Sequence, residues 1–324
     1  MKRALAENPS LVSIAANPVP EGAQVGTFET RDRVRLRYAI FPRTGPVHKG
    51  TVCLVQGRTE FIEKYFETIA DFQRRGFHVA TFDWRGQGGS QRLIGNPRLG
   101  FVERFEDYCT DLTSFHAGIL LPDCPPPFYL VGHSIGGLVA LMTGAADRLM
   151  FERIFLSAPM LALDGQSFGM AGSARLAETL CFLGLGRLPV RRRADRQPSE
   201  ATFPGNPLTS DLPRYLRTIE VLRAAPALTI GAPTLRWSAS ALHAMLAVAT
   251  DSFINSFKAP LLMLAAARDE VVSTAATEQL GLRLKTGRHL VIAAARHELF
   301  MEADPIREQV LAAFDAFITD ATGG

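Results

Sequence analysis

Residues 128–141 read FYLVGHSIGGLVAL: an apolar run, one serine set among small residues, and a second apolar run. The first run has the length and bulk of a buried strand, and the second, beginning at Ile135, is long enough for a helix. Between them, Gly132-His133-Ser134-Ile135-Gly136 allows a sharp turn and little else. A buried strand turning directly into a helix is the unit of a parallel sheet covered on both faces, so this stretch points to an α/β fold. It also poses a chemical question. G-x-S-x-G at such a bend exposes a serine hydroxyl as a nucleophile, whereas a glycine-rich turn can equally carry an idle serine.

The same alternation extends outward in both directions. The segment 51–55 (TVCLV) predicts a strand, and 62–75 a helix with Ile62, Tyr65, Phe66, Ile69 and Phe72 on one face and Gly76 as its stop. A strand at 78–82, a glycine-rich loop, a helix near 105–120 and a strand at 153–157 continue the pattern. After a long gap it resumes with strands at 260–266 and 288–294, and ends in a helix opened by Asp304-Pro305. The expected architecture is a mostly parallel central sheet with helices on both faces, binding its ligand beyond the carboxyl ends of the strands. The gap holds a small-residue apolar segment (167–185), the arginines Arg191, Arg192, Arg193 and Arg196, a Pro/Asn/Ser-rich loop and two or three candidate helices. We read it as a helical cap inserted over the strand ends. The expected organisation is an N-terminal extension (1–24), a sheet domain (25–160 with 253–324) and a cap (161–252).

Composition narrows the function. With 324 residues and 47% hydrophobic content the chain can bury a large core, and a net charge of +3 gives no concentrated basic face for nucleic acid. Cys53, Cys109, Cys124 and Cys181 are scattered, without C-x-x-C or a local Cys/His cluster, and read as reduced thiols. No metal or organic cofactor is implied. Lys2 and Arg3 imitate the start of a signal peptide, but Glu7, Asn8 and Pro9 interrupt it, and no run reaches the ~18–20 apolar residues of a membrane span. The expectation is a cytoplasmic protein, at most peripheral to the inner face of the membrane; its oligomeric state is not legible.

A serine nucleophile needs a base, a group to orient that base, and donors for the developing oxyanion. In this kind of sheet the triad follows the order Ser, acid, His. Asp269 is the first acid after the strand at 260–266, with Glu270 as runner-up. Of seven histidines, His48, His78 and His116 precede the serine, His133 adjoins it at a turn where neighbouring side chains diverge, His243 lies in the gap, and His289 is inside a strand. His297 alone is late, in a loop, and at a strand's carboxyl end. The oxyanion donors are expected to be the backbone N–H groups of Ile135 and Arg58, with Gly57 permitting close approach.

These residues carry a family likeness. Through GRTEFIEKYFE (57–67), ATFDWRGQGGSQR (80–92), FEDYCTDL (105–112), GHSIGG (132–137), NPLTSD (206–211), ARDEVVS (267–273) and RHELFME (296–302), the chain resembles the lysophospholipase/monoacylglycerol-lipase branch of the α/β-hydrolases, specifically its PldB-like lysophospholipases. The resemblance spans about 51–317 and is weakest in the cap. It implies Ser134 as nucleophile, Asp269 as acid and His297 as base, acting on carboxylic esters of single-acyl lipids through an acyl-enzyme. Many relatives have His-Gly where this chain has Gln56-Gly57, and D-x-R-G-H-G where it has 83–88, DWRGQG. Gln56 is expected to bond within its own loop.

Three features stay open on sequence alone. The glycines of 83–90 lack the Lys-Ser/Thr ending of a phosphate loop, so packing beneath the nucleophile turn is expected of them. The arginine run and the apolar LCFLGLGRLPV (180–190) before it are what a peripheral membrane contact would use, or an ordinary solvated lid face. Arg58 either meets a substrate phosphate or pairs with Glu60 or Glu63. Within enzymes the alternative is an aminopeptidase or small-ester or thioester hydrolase, and outside them a silent hydrolase scaffold.

Overall fold

Six consecutive buried residues, Gly50–Val55, form a strand with nowhere to put a polar side chain, which requires cover on both faces. The computed structural model, which describes residues 9–163, 169–190 and 200–319, supplies that cover. Its sheet has eight strands: β1 (Gln24–Glu29), β2 (Arg35–Phe41), β3 (Gly50–Val55), β4 (Phe77–Phe82), β5 (Phe128–His133), β6 (Arg153–Ser157), β7 (Leu261–Ala266) and β8 (Gly287–Ile292). They lie in the order β1-β2-β4-β3-β5-β6-β7-β8. The pairings from β4 through β8 are parallel, whereas β1–β2 and β2–β4 are antiparallel.

The first two strands are not anticipated by the alternation in the sequence. β1 is an edge strand with no fully buried residue, so it lacks the apolar run by which the inner strands announce themselves. Its partner β2 carries Arg37, whose guanidinium is buried and neutralised by Glu63 (2.7 and 2.8 Å) and Asp83 (2.7 Å). A buried arginine of this kind is stable only when paired, and the partners come from distant loops.

The helices α1 (Phe66–Arg74), α2 (Glu106–Phe115), α3 (Ile135–Ala146), α4 (Gly169–Leu180), α5 (Leu212–Ala224), α6 (Leu235–Val248), α7 (Asp251–Ser256), α8 (Thr274–Arg283) and α9 (Asp304–Thr319) complete the fold. The expected helix over 62–75 begins as a single 3-10 turn, Ile62–Tyr65, before α1, and Gly76 ends it with φ of +96°. Between β6 and β7 the chain leaves the sheet for α4 to α7. Part of the apolar segment 167–185 and all four arginines Arg191, Arg192, Arg193 and Arg196 lie outside the described residues. The described part is tied to the sheet side. Gly231 N–H donates to Arg98 O (2.6 Å), Gly100 N–H to Ala232 O (2.9 Å) and Thr234 N–H to Gly100 O (2.9 Å). Trp237 Nε1 donates to the hydroxyl of Tyr108 in FEDYCTDL (3.0 Å).

The four cysteines are free. Among the described residues no helix is long and apolar enough to cross a membrane.

Candidate active site

Parallel strands deliver their following loops to one edge of the sheet. Ser134 follows β5, Asp269 follows β7, His297 follows β8, and Arg58 follows β3, so all four emerge at the carboxyl edge. That edge is the ligand side of such sheets.

The turn at Ser134 is set by crowding. Ser134 has φ of +52°, in the left-handed region that L residues avoid. It is held there because its N–H donates to Ser157 O (3.1 Å) while its own carbonyl accepts from Gly137 (3.0 Å) and Leu138 (3.2 Å). A Cβ on Gly132 would come within 2.8 Å of Gly136 O, and one on Gly136 within 2.6 Å of Val55 O. Strand, helix and the loop after β3 therefore approach closely only if both positions are glycine.

His297 Nδ1 lies 2.9 Å from Asp269 Oδ2, and both side chains are almost wholly shielded (5% and 1% exposed). The other oxygen of Asp269 accepts the N–H groups of Val271 (2.8 Å) and Val272 (2.9 Å). Burial raises the pKa of this carboxyl, but the histidine and the two backbone donors outweigh it and hold the pKa below the usual value. An ionised Asp269 favours Nδ1 as the donor and leaves Nε2 without a proton. Glu270 is exposed and takes no part in this contact.

Ser134, Ile135, Arg58 and His297 line one cavity of about 450 Å³, whose other walls include Met160, Leu242 and Met245. In the loop after β3, Gly57 N–H is bound by Glu60 Oε2 (2.5 Å) and Thr59 N–H by Gln87 Oε1 (2.7 Å). The N–H between them is that of Arg58. Thr59 adopts φ of +67°, which turns the loop at this point.

At three points the structure decides or adds to what the sequence offered. Gln56 does not bond within its loop: its Nε2 donates to Thr81 Oγ1 on β4 (3.0 Å) because the side chain points back under the sheet edge. The glycine-rich 83–90 loop wraps the Asp83 carboxylate, which accepts from Ile62 N–H (3.0 Å) and Gly89 N–H (2.7 Å). It supports the loop after β3, through Trp84 Nε1 to Gln56 O (2.8 Å) and through Gln87, and Gln56 O in turn lies against Gly136 of the turn at Ser134, where a Cβ would meet it at 2.8 Å. Arg58 pairs with neither Glu60 nor Glu63, since Glu60 is held by Lys64 (2.9 Å) and Tyr65 (2.8 Å) and Glu63 by Arg37.

Sequence reading misses two groups that surround the site. Lys64 bridges two buried carboxylates, Glu60 (2.9 Å) and Glu298 (2.5 Å). Burial works against the charge on Glu60, yet Lys64 wins and lowers its pKa to about 2. Glu298 is raised, by burial and by the charge of Glu60. His133 packs at 4.8 Å, ring to ring, against His297 and shares Ser157 O through Nδ1 (3.0 Å); burial pushes its pKa down to about 4. The second group clasps the loop of His297. Glu302 accepts Arg296 N–H (2.7 Å) on one oxygen and Ser210 N–H (3.0 Å) on the other. Arg296 donates to Asn206 O (2.7 Å), Thr209 Oγ1 to Met301 O (2.6 Å), and Glu298 N–H to Leu208 O (2.8 Å). The signals were the motifs NPLTSD and RHELFME themselves, but their partnership spans some ninety residues of chain.

Comparison with known proteins supplies the context. The model of the serine aminopeptidase S33 family matches residues 46–304. The chain is 31% identical over 302 residues to lysophospholipase L2 of Escherichia coli (strain K12), covering 90% of this chain and 86% of that one. It is 27% identical over 290 residues to probable lysophospholipase L2 of Haemophilus influenzae, covering 88% of each. Among solved structures, a soluble variant of monoglyceride lipase from Saccharomyces cerevisiae matches with a TM-score of 0.72 at 18% identity, covering 92% of this chain and 96% of that one. A Paleococcus ferrophilus monoacylglycerol lipase matches with a TM-score of 0.68 at 21% identity, covering 88% and 98%.

Proposed function

We propose that this chain, which belongs to the serine aminopeptidase S33 family and has the α/β-hydrolase fold, hydrolyses carboxylic esters of single-acyl lipids through a serine-bound acyl intermediate. The observation that carries the reading is the 2.9 Å contact of His297 Nδ1 with a shielded Asp269, with His297 facing the cavity that also holds Ser134. Ser134 Oγ attacks the ester carbonyl while His297 Nε2 takes its proton. Asp269 stabilises the imidazolium, and His297 then returns the proton to the departing alcohol. The N–H groups of Ile135 and Arg58 receive the oxyanion, each worth roughly 3–4 kcal/mol at the transition state. Water, activated by His297, releases the fatty acid.

The lipid substrate is favoured by the relatives' names, lysophospholipase L2 above all, and by the walls of the cavity, where Met160, Leu242, Met245 and Trp237 offer an acyl chain an apolar surface. We read 161–252 as the cap, and its described residues supply most of those walls. A fluorophosphonate probe is expected to label Ser134 in the folded protein, and failure to label would favour a silent scaffold. A panel of lysophospholipids, monoacylglycerols, short esters and aminoacyl-arylamides tests the substrate; turnover of the arylamides alone would overturn the lipid reading.

A further inference from the structure

A second cavity of about 790 Å³ adjoins the first and shares Arg58, Thr59 and Glu298 with it. Arg58 sits at the junction. Its Nη1 donates to Gly231 O (2.7 Å), and its guanidinium lies 5.7 Å from the centre of the Trp237 ring. Arg37, Arg85 and Arg214 are matched by acids, Arg37 by Glu63 and Asp83, Arg85 by Asp32 and Asp111, and Arg214 by Glu67, whereas Arg58, like the half-buried Arg92 and Arg296, bonds only carbonyl oxygen. Among the described residues no carboxylate forms an ion pair with Arg58. Burial without a counter-charge pulls its pKa down to about 10, which leaves it cationic at neutral pH. A shielded cation facing a cavity without its own anion is arranged to receive one. Thr229, another residue lining the second cavity, has a buried Oγ1 with no hydrogen-bond partner among the described residues.

We propose that the Arg58 guanidinium, assisted by the Thr229 hydroxyl, binds the phosphodiester of a single-acyl glycerophospholipid whose ester lies at Ser134. The inference rests on the reading of Ser134 as nucleophile and deepens it by choosing between two substrate classes. Its geometric basis is that one residue contributes to both ends. The backbone N–H of Arg58 faces the ester, and its side chain reaches toward the adjoining cavity. Only a glycerol unit separates ester from phosphate in a lysophospholipid, so the two groups of the substrate are as close together as the two groups of Arg58. A monoacylglycerol has no charge to offer the guanidinium and gains nothing from it.

The test compares a lysophosphatidylcholine with the monoacylglycerol of the same acyl chain. Arg58→Gln is expected to lower the ratio of their kcat/KM values by roughly tenfold to a hundredfold, the range of a charge-assisted hydrogen bond, with the loss mainly in KM for the phospholipid. Arg58→Lys should restore part of the ratio, and Thr229→Val should move it the same way by less. Equal losses on both substrates would mean that Arg58 acts only by shaping the oxyanion loop, and the inference would fail while the hydrolase reading stood. A binding arm separates the opposite case. In the Ser134→Ala protein, dodecylphosphocholine below its micellar concentration is titrated by tryptophan fluorescence against a neutral dodecyl glycerol ether. Arg58→Gln in that background should weaken the phosphodiester by about tenfold or more and the ether by no more than about twofold. If that difference appeared in a protein whose parent cleaved neither lipid, the anion site would stand and the catalytic reading would fall. If the two probes weakened alike, the anion site would be overturned.

Discussion

The two loops that meet at the cavity are held by opposite means. The turn at Ser134 is fixed by the backbone. Gly132 and Gly136 leave no room for a Cβ, and the backbone bonds that hold Ser134 come from its own helix, from β6 and from Met160 just beyond it. The loop of His297 is held largely by side chains, beside one backbone bond from Glu298 N–H to Leu208 O (2.8 Å). Glu302 and Arg296 tie it to Asn206 and Ser210, in the segment between β6 and β7. Steric crowding of a backbone is local and unforgiving, whereas a clasp of hydrogen bonds joins two parts of the chain and can loosen without unfolding either. The proposed nucleophile thus sits on the rigid part of the fold, and its base on a loop whose position depends on the cap segment.

Removing the reacting groups sets the upper bound for any change to their supports. Ser134→Ala and His297→Ala are each expected to lower ester turnover by roughly five to six orders of magnitude, with unfolding temperatures close to the parent. Asp269→Asn should cost about four orders of magnitude, because the amide favours the wrong histidine tautomer. Glu270→Gln, on an exposed side chain, should stay within about twofold. If Glu270→Gln proved the more damaging of the pair, the acid would have been misassigned.

The supports themselves should differ in kind. Gly136→Ala drives a methyl into Val55 O and Gln56 O, and overpacking of this sort costs roughly 1–3 kcal/mol. Thermal unfolding should shift down by several degrees, with activity falling alongside it. In Glu302→Gln an amide donor must face either Arg296 N–H or Ser210 N–H, leaving donor against donor at a buried site. Steady-state kinetics should show kcat reduced about tenfold, from a misplaced base, with a smaller change in unfolding temperature than Gly136→Ala. An unchanged kcat in Glu302→Gln would show that the clasp does not position His297.

The smallest effect concerns pH. His133 has a pKa of about 4 in the folded protein against an ordinary 6.5, because burial excludes its charged form. Between those values the unfolded chain binds a proton that the folded one does not. Stability should therefore be greatest above about pH 6.5 and decline as the pH falls toward 4. Denaturant melts of parent and His133→Gln across this range measure it; the variant should show a flatter profile, and parallel profiles would assign the acid sensitivity elsewhere.

How much was legible follows from the same contrast. The buried parallel strands, the turn at Ser134 and the placing of Asp269 and His297 after their strands are properties of short windows, because burial on both faces and a cramped turn each leave a local residue signature. β1 left none, since an edge strand needs no apolar run. Nor could the windows show where Gln56 points, that Lys64 bridges Glu60 and Glu298, or that Glu302 reaches Ser210.

Arg58 shows the division most sharply. Two glutamates close by in sequence left its side chain open between an ion pair and a substrate phosphate, a choice that could not be made from the string of letters. Folding gives Glu60 to Lys64 and Glu63 to Arg37, and carries Arg58 beside Gly231 and Trp237 instead. The sequence by itself determined the α/β class and the candidate triad, because strand burial and turn crowding act between near neighbours. Only the tertiary structure decided which charges are spent on one another and which is left facing the cavity, because electrostatic pairing is settled by distance in space.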